Sequence, residues 1–108
     1  MKKEQISVII KTPNGKPYKA LIDNELDALQ AIVGGDIEAL PVYGAKKPMI
    51  MVVNEEGKLR NLPYNFATEY DFIVGTCFFC GIDGEEFGDC PVSVPQIERF
   101  IENGGVIV

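Results

Sequence analysis

The chain of 108 residues contains no histidine and no tryptophan. The absence of histidine removes the most common general base, together with the Ser-His and Cys-His pairs that activate nucleophiles. Carboxylate or lysine catalysis would remain, but no two acidic residues are spaced in a way that indicates it. We therefore predict no catalytic residue and a protein that is not an enzyme.

Basic residues are almost absent from the second half of the chain. Residues 61–108 contain eight acidic residues but only one basic residue, Arg99, and the whole chain has a net charge of −6. Binding to the phosphates of a nucleic acid requires clustered positive charge, so direct nucleic-acid binding is not expected. An acidic face could instead meet a basic protein partner.

Long apolar runs are also missing. No segment approaches the roughly 18 uninterrupted apolar residues of a membrane span, and the first residues lack the apolar core and cleavage site of a signal peptide. We expect a single domain over residues 1–108, no membrane association, and a cytoplasmic location in which the three cysteines are reduced.

Two of the cysteines form a C-x-x-C pattern, Cys77-Phe78-Phe79-Cys80, which in other proteins binds metal or carries redox chemistry. In a strand, Cys77 and Cys80 point to opposite faces. With only Cys90 besides them and no histidine, a four-coordinate zinc site would need a carboxylate or a second chain. Buried structural cysteines are the favoured interpretation, so we predict no metal and no cofactor.

The segment 24–42 organises the predicted fold as a helix, a glycine stop and a strand. Apolar residues recur at helical spacing over residues 24–33 and predict one buried helix face: Leu26, Leu29, Ile32 and Val33. Asn24 is the predicted N-cap, and the Gly34-Gly35 pair is the predicted end of the helix.

Alternating or continuously apolar segments predict the strands. Gln5–Lys11 alternates with Lys11 on its polar side, and together with Tyr18–Asp23 it predicts a hairpin around Asn14-Gly15. The other predicted strands are 37–42, in which Pro41 indicates an edge position or a strand end, then 49–53 at the centre, and 71–80 as one long core strand. The intervening segments are predicted as loops: 54–58 with Gly57 available for a positive φ, 59–65 anchored by Leu59 and Leu62 with Asn65 facing water, and 81–89.

The C-terminal part begins with a capping box of Ser93 and Gln96, which predicts a helix over Val94–Glu102. The apolar tail 105–108 is predicted to pair as an edge strand, within the chain or across a homodimer. The resulting fold class is α+β: a mainly antiparallel sheet of four to five strands, with the 24–33 helix packed on one face and the C-terminal helix beside it.

Two groups of polar residues are candidate binding surfaces. The first is the polar loop between two core strands, where a rigid scaffold can hold exposed side chains: Asn54, Glu55, Glu56, Lys58, Asn61 and Asn65. The alternative for this group is a solvated turn followed by a surface loop. The second is an acidic surface, whose spacing does not match a calcium-binding EF-hand loop: Glu69, Asp83, Glu85, Glu86 and Asp89.

Four segments, in this order, resemble the domain of unknown function 3846 family: L-D-A-L-Q-A-I-V-G-G-D-I-E (26–38), N-E-E-G-K-L (54–59), L-P-Y-N (62–65) and D-F-I-V-G-T (71–76). The resemblance covers most of the chain and implies an accessory protein of a bacterium, a phage or a conjugative element. It implies no activity, cofactor or catalytic residue. The sequence departs from the expected pattern at Phe66, where we expect arginine, and at Cys77 and Cys80, where plain apolar or small residues are expected.

The function that we expect is a small non-enzymatic module that binds another protein. The alternative is an acidic inhibitor that imitates DNA, as anti-restriction proteins do. Eight acidic residues in the last 48 fall short of duplex DNA, which carries one charge per about 1.7 Å of axis. A small-molecule-binding or enzymatic accessory protein is the third possibility.

Overall fold

A computed structural model describes residues 2–107 of the chain. They form eight strands and two helices: β1 (Gln5–Lys11), β2 (Tyr18–Asp23), α1 (Leu26–Val33), β3 (Ile37–Pro41), β4 (Met49–Asn54), β5 (Tyr64–Ala67), β6 (Phe72–Val74), β7 (Cys77–Asp83), β8 (Glu86–Gly88) and α2 (Val94–Glu102). The predicted α+β class is confirmed.

The main sheet has the strand order β2-β1-β7-β4-β3, and β8 pairs with the second half of β7. Every pair in it is antiparallel. Strands β5 and β6 form a separate two-stranded antiparallel sheet. The hairpin β1–β2, the central position of β4 and the edge position of β3 are confirmed. The main sheet has six strands rather than four to five because part of the predicted acidic loop is strand.

The main sheet is covered on both faces. In β7, Cys77 and Phe79 belong to one apolar cluster, and Phe78 and Cys80 belong to the other. This alternation confirms that the two cysteines point to opposite faces. Strand β1 is likewise apolar on both sides, so the prediction that one of its sides is polar is wrong. A sheet that is apolar on both faces needs a covering layer on each side.

The two helices supply these layers from opposite sides, so the prediction that they lie side by side is wrong. Helix α1 covers one face with Leu29 and Val33. Helix α2 covers the other face together with the β5–β6 sheet, and its Phe100 packs edge-on against Phe66 and Phe79, with ring centroids 6.2 and 5.5 Å apart.

The N-cap of helix α1 lies one residue later than predicted, so Asn24 is not the N-cap. The cap position is Glu25, whose side chain makes no capping hydrogen bond. The buried Asn24 amide instead donates to the main-chain oxygens of Lys3 (3.1 Å) and Phe87 (3.3 Å). Leu26 is 56% exposed and lies outside the buried face. The amide of Asn24 is thus used to join the N-terminus to β8.

The ends of both helices otherwise follow local sequence signals. Helix α1 ends at Gly34, which adopts a left-handed conformation with φ 81°. At the start of α2, the Ser93 side chain accepts from the Gln96 N–H (3.3 Å) and the Gln96 side chain accepts from the Ser93 N–H (2.9 Å). The predicted capping box and the bounds of α2 are confirmed.

The predicted strand 71–80 is divided at Gly75, which has a φ of 74°. A Cβ atom at this position would lie 2.8 Å from Cδ1 of Leu62. The chain therefore bends here, and the first part becomes β6, which pairs with β5 rather than joining the main sheet. The predicted loop 59–65 ends in β5, and the predicted loop 81–89 contains the β7–β8 hairpin.

Two further predictions about loops are wrong. The positive φ expected at Gly57 occurs instead at Asn61, with φ 55°, and Leu59 anchors nothing because it is 84% exposed. The part of the apolar tail that the structure describes, 105–107, is not a strand. It is held by a bond from the Gly105 N–H to the Phe100 oxygen (2.8 Å), while Val108 lies outside the described residues.

Candidate interaction groove

A groove runs along the β3 edge of the main sheet, between that edge and the β5–β6 sheet. It has two halves of about 340 and 410 Å³, which share Leu40, Asp71 and Ile73. Side chains of β3 and β4 line one side and β6 lines the other. We call it the edge groove.

The half of the edge groove that we call the loop end is bordered by Lys58. Its amine forms an ion pair with the Asp71 carboxylate (2.5 Å) and lies 4.3 Å above the centre of the Phe72 ring. The hydrogen bonds from Lys58 and from the Phe72 N–H lower the pKa of Asp71 below its ordinary value. These contacts hold the rim formed by β6 in one arrangement.

The other half, the tyrosine end, is lined by Tyr43, which follows β3, and by Tyr70, in the turn between β5 and β6. Thr68 closes that turn, because its hydroxyl accepts from the Tyr70 and Asp71 N–H groups (3.2 and 3.1 Å). The Glu69 N–H donates to the Gly104 oxygen (2.7 Å) and ties the turn to the end of α2. Tyr70 is 86% exposed, and it lies on a turn that is hydrogen-bonded at both ends.

Exposed apolar side chains are concentrated around this groove. Of the nine large hydrophobic residues that are exposed within residues 2–107, four line it: Tyr43, Leu59, Tyr70 and Phe72. Scattered exposed apolar residues are ordinary on a protein surface, whereas a contiguous set along a groove indicates a binding site.

The polar loop predicted as a binding surface is only partly at the edge groove. Asn54, Glu55 and Lys58 line its loop end. Glu56 and Asn61 are exposed but lie outside the groove lining. Asn54 is buried, and its amide donates to the Val33 oxygen (3.1 Å) at the end of α1, while its side-chain oxygen accepts from the Glu56 N–H (2.8 Å). Its role is to join the loop to the helix.

The predicted exposure of Asn65 is wrong. Its amide nitrogen donates to the main-chain oxygens of Lys11 (2.9 Å) and Gly75 (2.8 Å), and its oxygen accepts from the Lys11 amine (2.9 Å). Lys11, predicted on a polar face, is also buried, and burial lowers its pKa. A buried amide needs partners for both donor and acceptor, and this one connects β1, β5 and the Gly75 turn.

The residues of the predicted acidic surface lie in two places. Asp83, Glu85 and Glu86 lie at the β7–β8 hairpin, and Glu69 lies in the β5–β6 turn. Asp89 forms an ion pair with Lys3 and accepts from the Ser7 N–H (2.9 Å). These two hydrogen bonds hold the pKa of Asp89 below its ordinary value. Asp89 therefore contributes to holding the N-terminal segment in place.

The strand cysteines are both buried, and burial raises the pKa of Cys77 and of Cys80 to about 12. Burial also raises the pKa of Cys90, which is half-buried. Within residues 2–107, no three side chains of the His, Cys, Asp and Glu types are grouped to hold a metal ion. We predict that Cys77 and Cys80 are labelled slowly by a thiol reagent in the native protein, and the absence of bound zinc stays a prediction.

Sequence interpretation missed the aromatic lining of the edge groove. Tyr70 and Phe72 flank Asp71 in the segment Y-D-F, and the prediction of one long strand from residue 71 assigned Phe72 to the core. An aromatic pair of this kind next to a Thr-x-x-Asp turn was the signal that could have placed them on a surface turn. Tyr43 carries no comparable signal.

The fold and the edge groove define a small α+β protein with an exposed apolar groove at a sheet edge. The sequence model of the family described as Domain of unknown function (DUF3846) matches residues 6–104. The chain therefore belongs to this family, which confirms the resemblance and assigns no function. No curated protein and no solved structure matches the chain. Across residues 2–107, neither helix has the length and apolar character needed to cross a membrane.

Proposed function

We propose that the chain is a small, non-enzymatic, cytoplasmic protein-interaction module of a bacterium, phage or mobile element, and that it binds its partner protein in the edge groove. The observation that carries the proposal is the concentration of exposed aromatic and aliphatic side chains along one ordered groove. Tyrosine and other aromatic residues supply most of the binding energy in many protein interfaces.

The order of the groove rim supports this function. Tyr70 lies on a turn closed by Thr68, and Phe72 lies beneath the Lys58 amine. Side chains that are already restrained lose less conformational entropy on binding. Covering exposed apolar side chains with a partner lowers the free energy, because it removes their surface from water.

Imitation of DNA is the weaker alternative. It requires an extended array of negative charges at nearly regular spacing. Three of the five candidate acidic residues lie at one hairpin and Glu69 lies in the turn between β5 and β6, while Asp89 is paired with Lys3. This distribution favours the edge groove as the binding surface.

The test is affinity capture from lysate of the cell that encodes the protein, with three variants of the tagged protein. The double variant Tyr43→Ser/Tyr70→Ser removes two exposed groove side chains. The matched control is Tyr64→Ser, because Tyr64 is 60% exposed and lies outside the groove lining. The third variant, Asp83→Asn/Glu85→Gln/Glu86→Gln, neutralises the acidic hairpin.

We expect the same protein to be recovered by the wild type, by Tyr64→Ser and by the neutralised variant, and to be lost with Tyr43→Ser/Tyr70→Ser. Equal thermal stability of the four proteins serves as the folding control. Recovery that survives the double tyrosine variant but is lost on neutralising the hairpin would overturn the proposal in favour of the acidic surface.

A further inference from the structure

The backbone of β3 has one side without a partner strand. Its pairing with β4 includes a bond from the Val42 N–H to the Met49 oxygen (3.2 Å), and the Glu55 N–H donates to the Asp36 oxygen (2.8 Å) just before β3. In an antiparallel pair, alternate residues direct their backbone groups to the same neighbour. The even-numbered residues from 36 to 42 therefore face β4, and the odd-numbered residues face outward.

The outward residues are Ile37, Ala39 and Pro41, and within residues 2–107 no second strand pairs with β3 on this outer side. Proline has no N–H, but at an outward position it removes no bond to β4. The edge thus presents the N–H and C=O groups of Ile37 and Ala39 and the C=O of Pro41. This is a short template on which one further strand can pair.

The charge along this edge is negative. Glu38 points to the edge groove and lies opposite Val53, and Glu55 follows two residues after Val53 at the same end. Among the residues that the structure describes, neither glutamate forms an ion pair, whereas Asp71 is paired with Lys58. The loop end therefore carries two uncompensated carboxylates, and the tyrosine end is apolar.

We propose that the edge groove binds an extended segment of the partner protein, which adds to β3 as a strand and alternates basic with apolar side chains. This inference rests on the proposed function and names the occupant. On an added strand, the residues opposite Glu38 and Leu40 are two positions apart and share one face. The first position fits lysine or arginine, and the second fits an aliphatic or aromatic residue that covers Leu40 between Tyr43 and Tyr70.

The first experiment selects ligands from a displayed random dodecapeptide library on the wild-type protein, with removal of peptides that also bind Tyr43→Ser/Tyr70→Ser. We expect enrichment of peptides with lysine or arginine two positions from an aliphatic or aromatic residue. Selected peptides should bind Glu38→Gln/Glu55→Gln about tenfold more weakly than wild type, as expected for two charged contacts. Enrichment of acidic peptides, or of apolar residues at helical spacing, would overturn the inference.

The second experiment tests backbone pairing with the best selected peptide. In a peptide that pairs with β3, every second amide donates a hydrogen bond to β3. N-methylation of these amides should weaken binding by about tenfold, because each methyl group blocks one hydrogen bond. N-methylation of the intervening amides is the matched control and should have little effect. On the protein side, Ala39→Pro removes one outward N–H without removing a bond to β4, and it should weaken binding similarly.

Amide hydrogen exchange gives a readout that does not depend on variants. In the free protein the outward Ile37 and Ala39 amides should exchange faster than those of Glu38 and Leu40, and the peptide should slow them by about tenfold or more. Unchanged exchange, together with equal effects of the two methylation registers, would overturn strand addition. If strand addition is overturned but Tyr43→Ser/Tyr70→Ser still abolishes capture of the partner, the proposed function stands. If capture persists in that variant, the proposed function is overturned as well.

Discussion

Replacing Asn65 with leucine should destabilise the protein severely. Asn65 is one polar residue in the four-residue strand β5. The leucine side chain has a similar size but can neither donate nor accept. Three hydrogen bonds would be lost: two from the amide to the main-chain oxygens of Lys11 and Gly75, and one from the Lys11 amine to the amide oxygen. The two main-chain oxygens lie in the interior, where water has poor access to them.

The magnitude follows from the number of buried groups left without a partner. Each buried donor or acceptor that loses its partner costs about 1–3 kcal/mol. Since the Lys11 amine keeps its bond to the Thr12 oxygen (2.6 Å), the estimate is about 3–5 kcal/mol rather than the full sum. Small domains are stable by roughly 5–15 kcal/mol, so this loss is a large fraction of the whole.

Guanidinium denaturation followed by circular dichroism measures the change in the free energy of unfolding. The variants Lys11→Met and Lys11→Met/Asn65→Leu complete a double-mutant cycle with Asn65→Leu. Because Lys11→Met removes the amine that Asn65 accepts from, the double variant should cost about 1–3 kcal/mol less than the sum of the single variants. A loss below about 1 kcal/mol for Asn65→Leu, or additive single effects, would show that Asn65 is not the buried connection described here.

Three other predictions test separate parts of the structure. Gly75→Ala should cost about 1–2 kcal/mol in chemical denaturation, because it strains a positive φ and crowds Leu62; an unchanged midpoint would contradict the divided strand. Asp89 has a pKa lowered by Lys3, so its stabilising effect is present above the unfolded pKa of about 3.9 and is lost as pH falls through the folded value. The stability difference between wild type and Asp89→Asn should therefore narrow below about pH 4, and a constant difference would argue against this pair. In thiol labelling of native protein followed by mass spectrometry, Cys90 should react before the two buried cysteines of β7; equal rates, or stoichiometric zinc in purified protein, would contradict their buried state.

Local signals allowed α2 to be predicted with its bounds. The capping box needs only Ser93 and Gln96, which are three residues apart, and the apolar spacing that follows is helical. The left-handed end of α1 at Gly34 and the β1–β2 hairpin are local in the same sense. Predictions of this kind succeed because the interacting groups are close in sequence.

The errors arose where distant residues decide the structure. Asn65 looks like a loop residue until Lys11, 54 positions away, is placed beside it. In the sequence, Gly75 resembles an ordinary strand glycine. Its conformation depends on packing against Leu62 and on the pairing of β6 with β5, and neither is visible in the local sequence.

The candidate site depended even more on tertiary structure. The edge groove brings Tyr43, after β3, next to Tyr70, in a turn of another sheet. No spacing in the sequence connects these two residues. Of the predicted polar loop, Asn54, Glu55 and Lys58 line the groove, and its role in binding stays a prediction. The apolar side chains that form most of the groove were assigned elsewhere or not considered.

The central claim is that a partner protein lies against the edge groove, and site-specific photo-crosslinking in the cell tests it most directly. A photoreactive phenylalanine analogue would replace Tyr70 in one variant and Tyr64 in another, since both side chains are aromatic and exposed but only Tyr70 lines the groove. A third variant would carry the analogue at Glu85, on the acidic hairpin. We predict a protein adduct from position 70 and none from positions 64 and 85. An adduct from position 85 with none from position 70 would contradict the account.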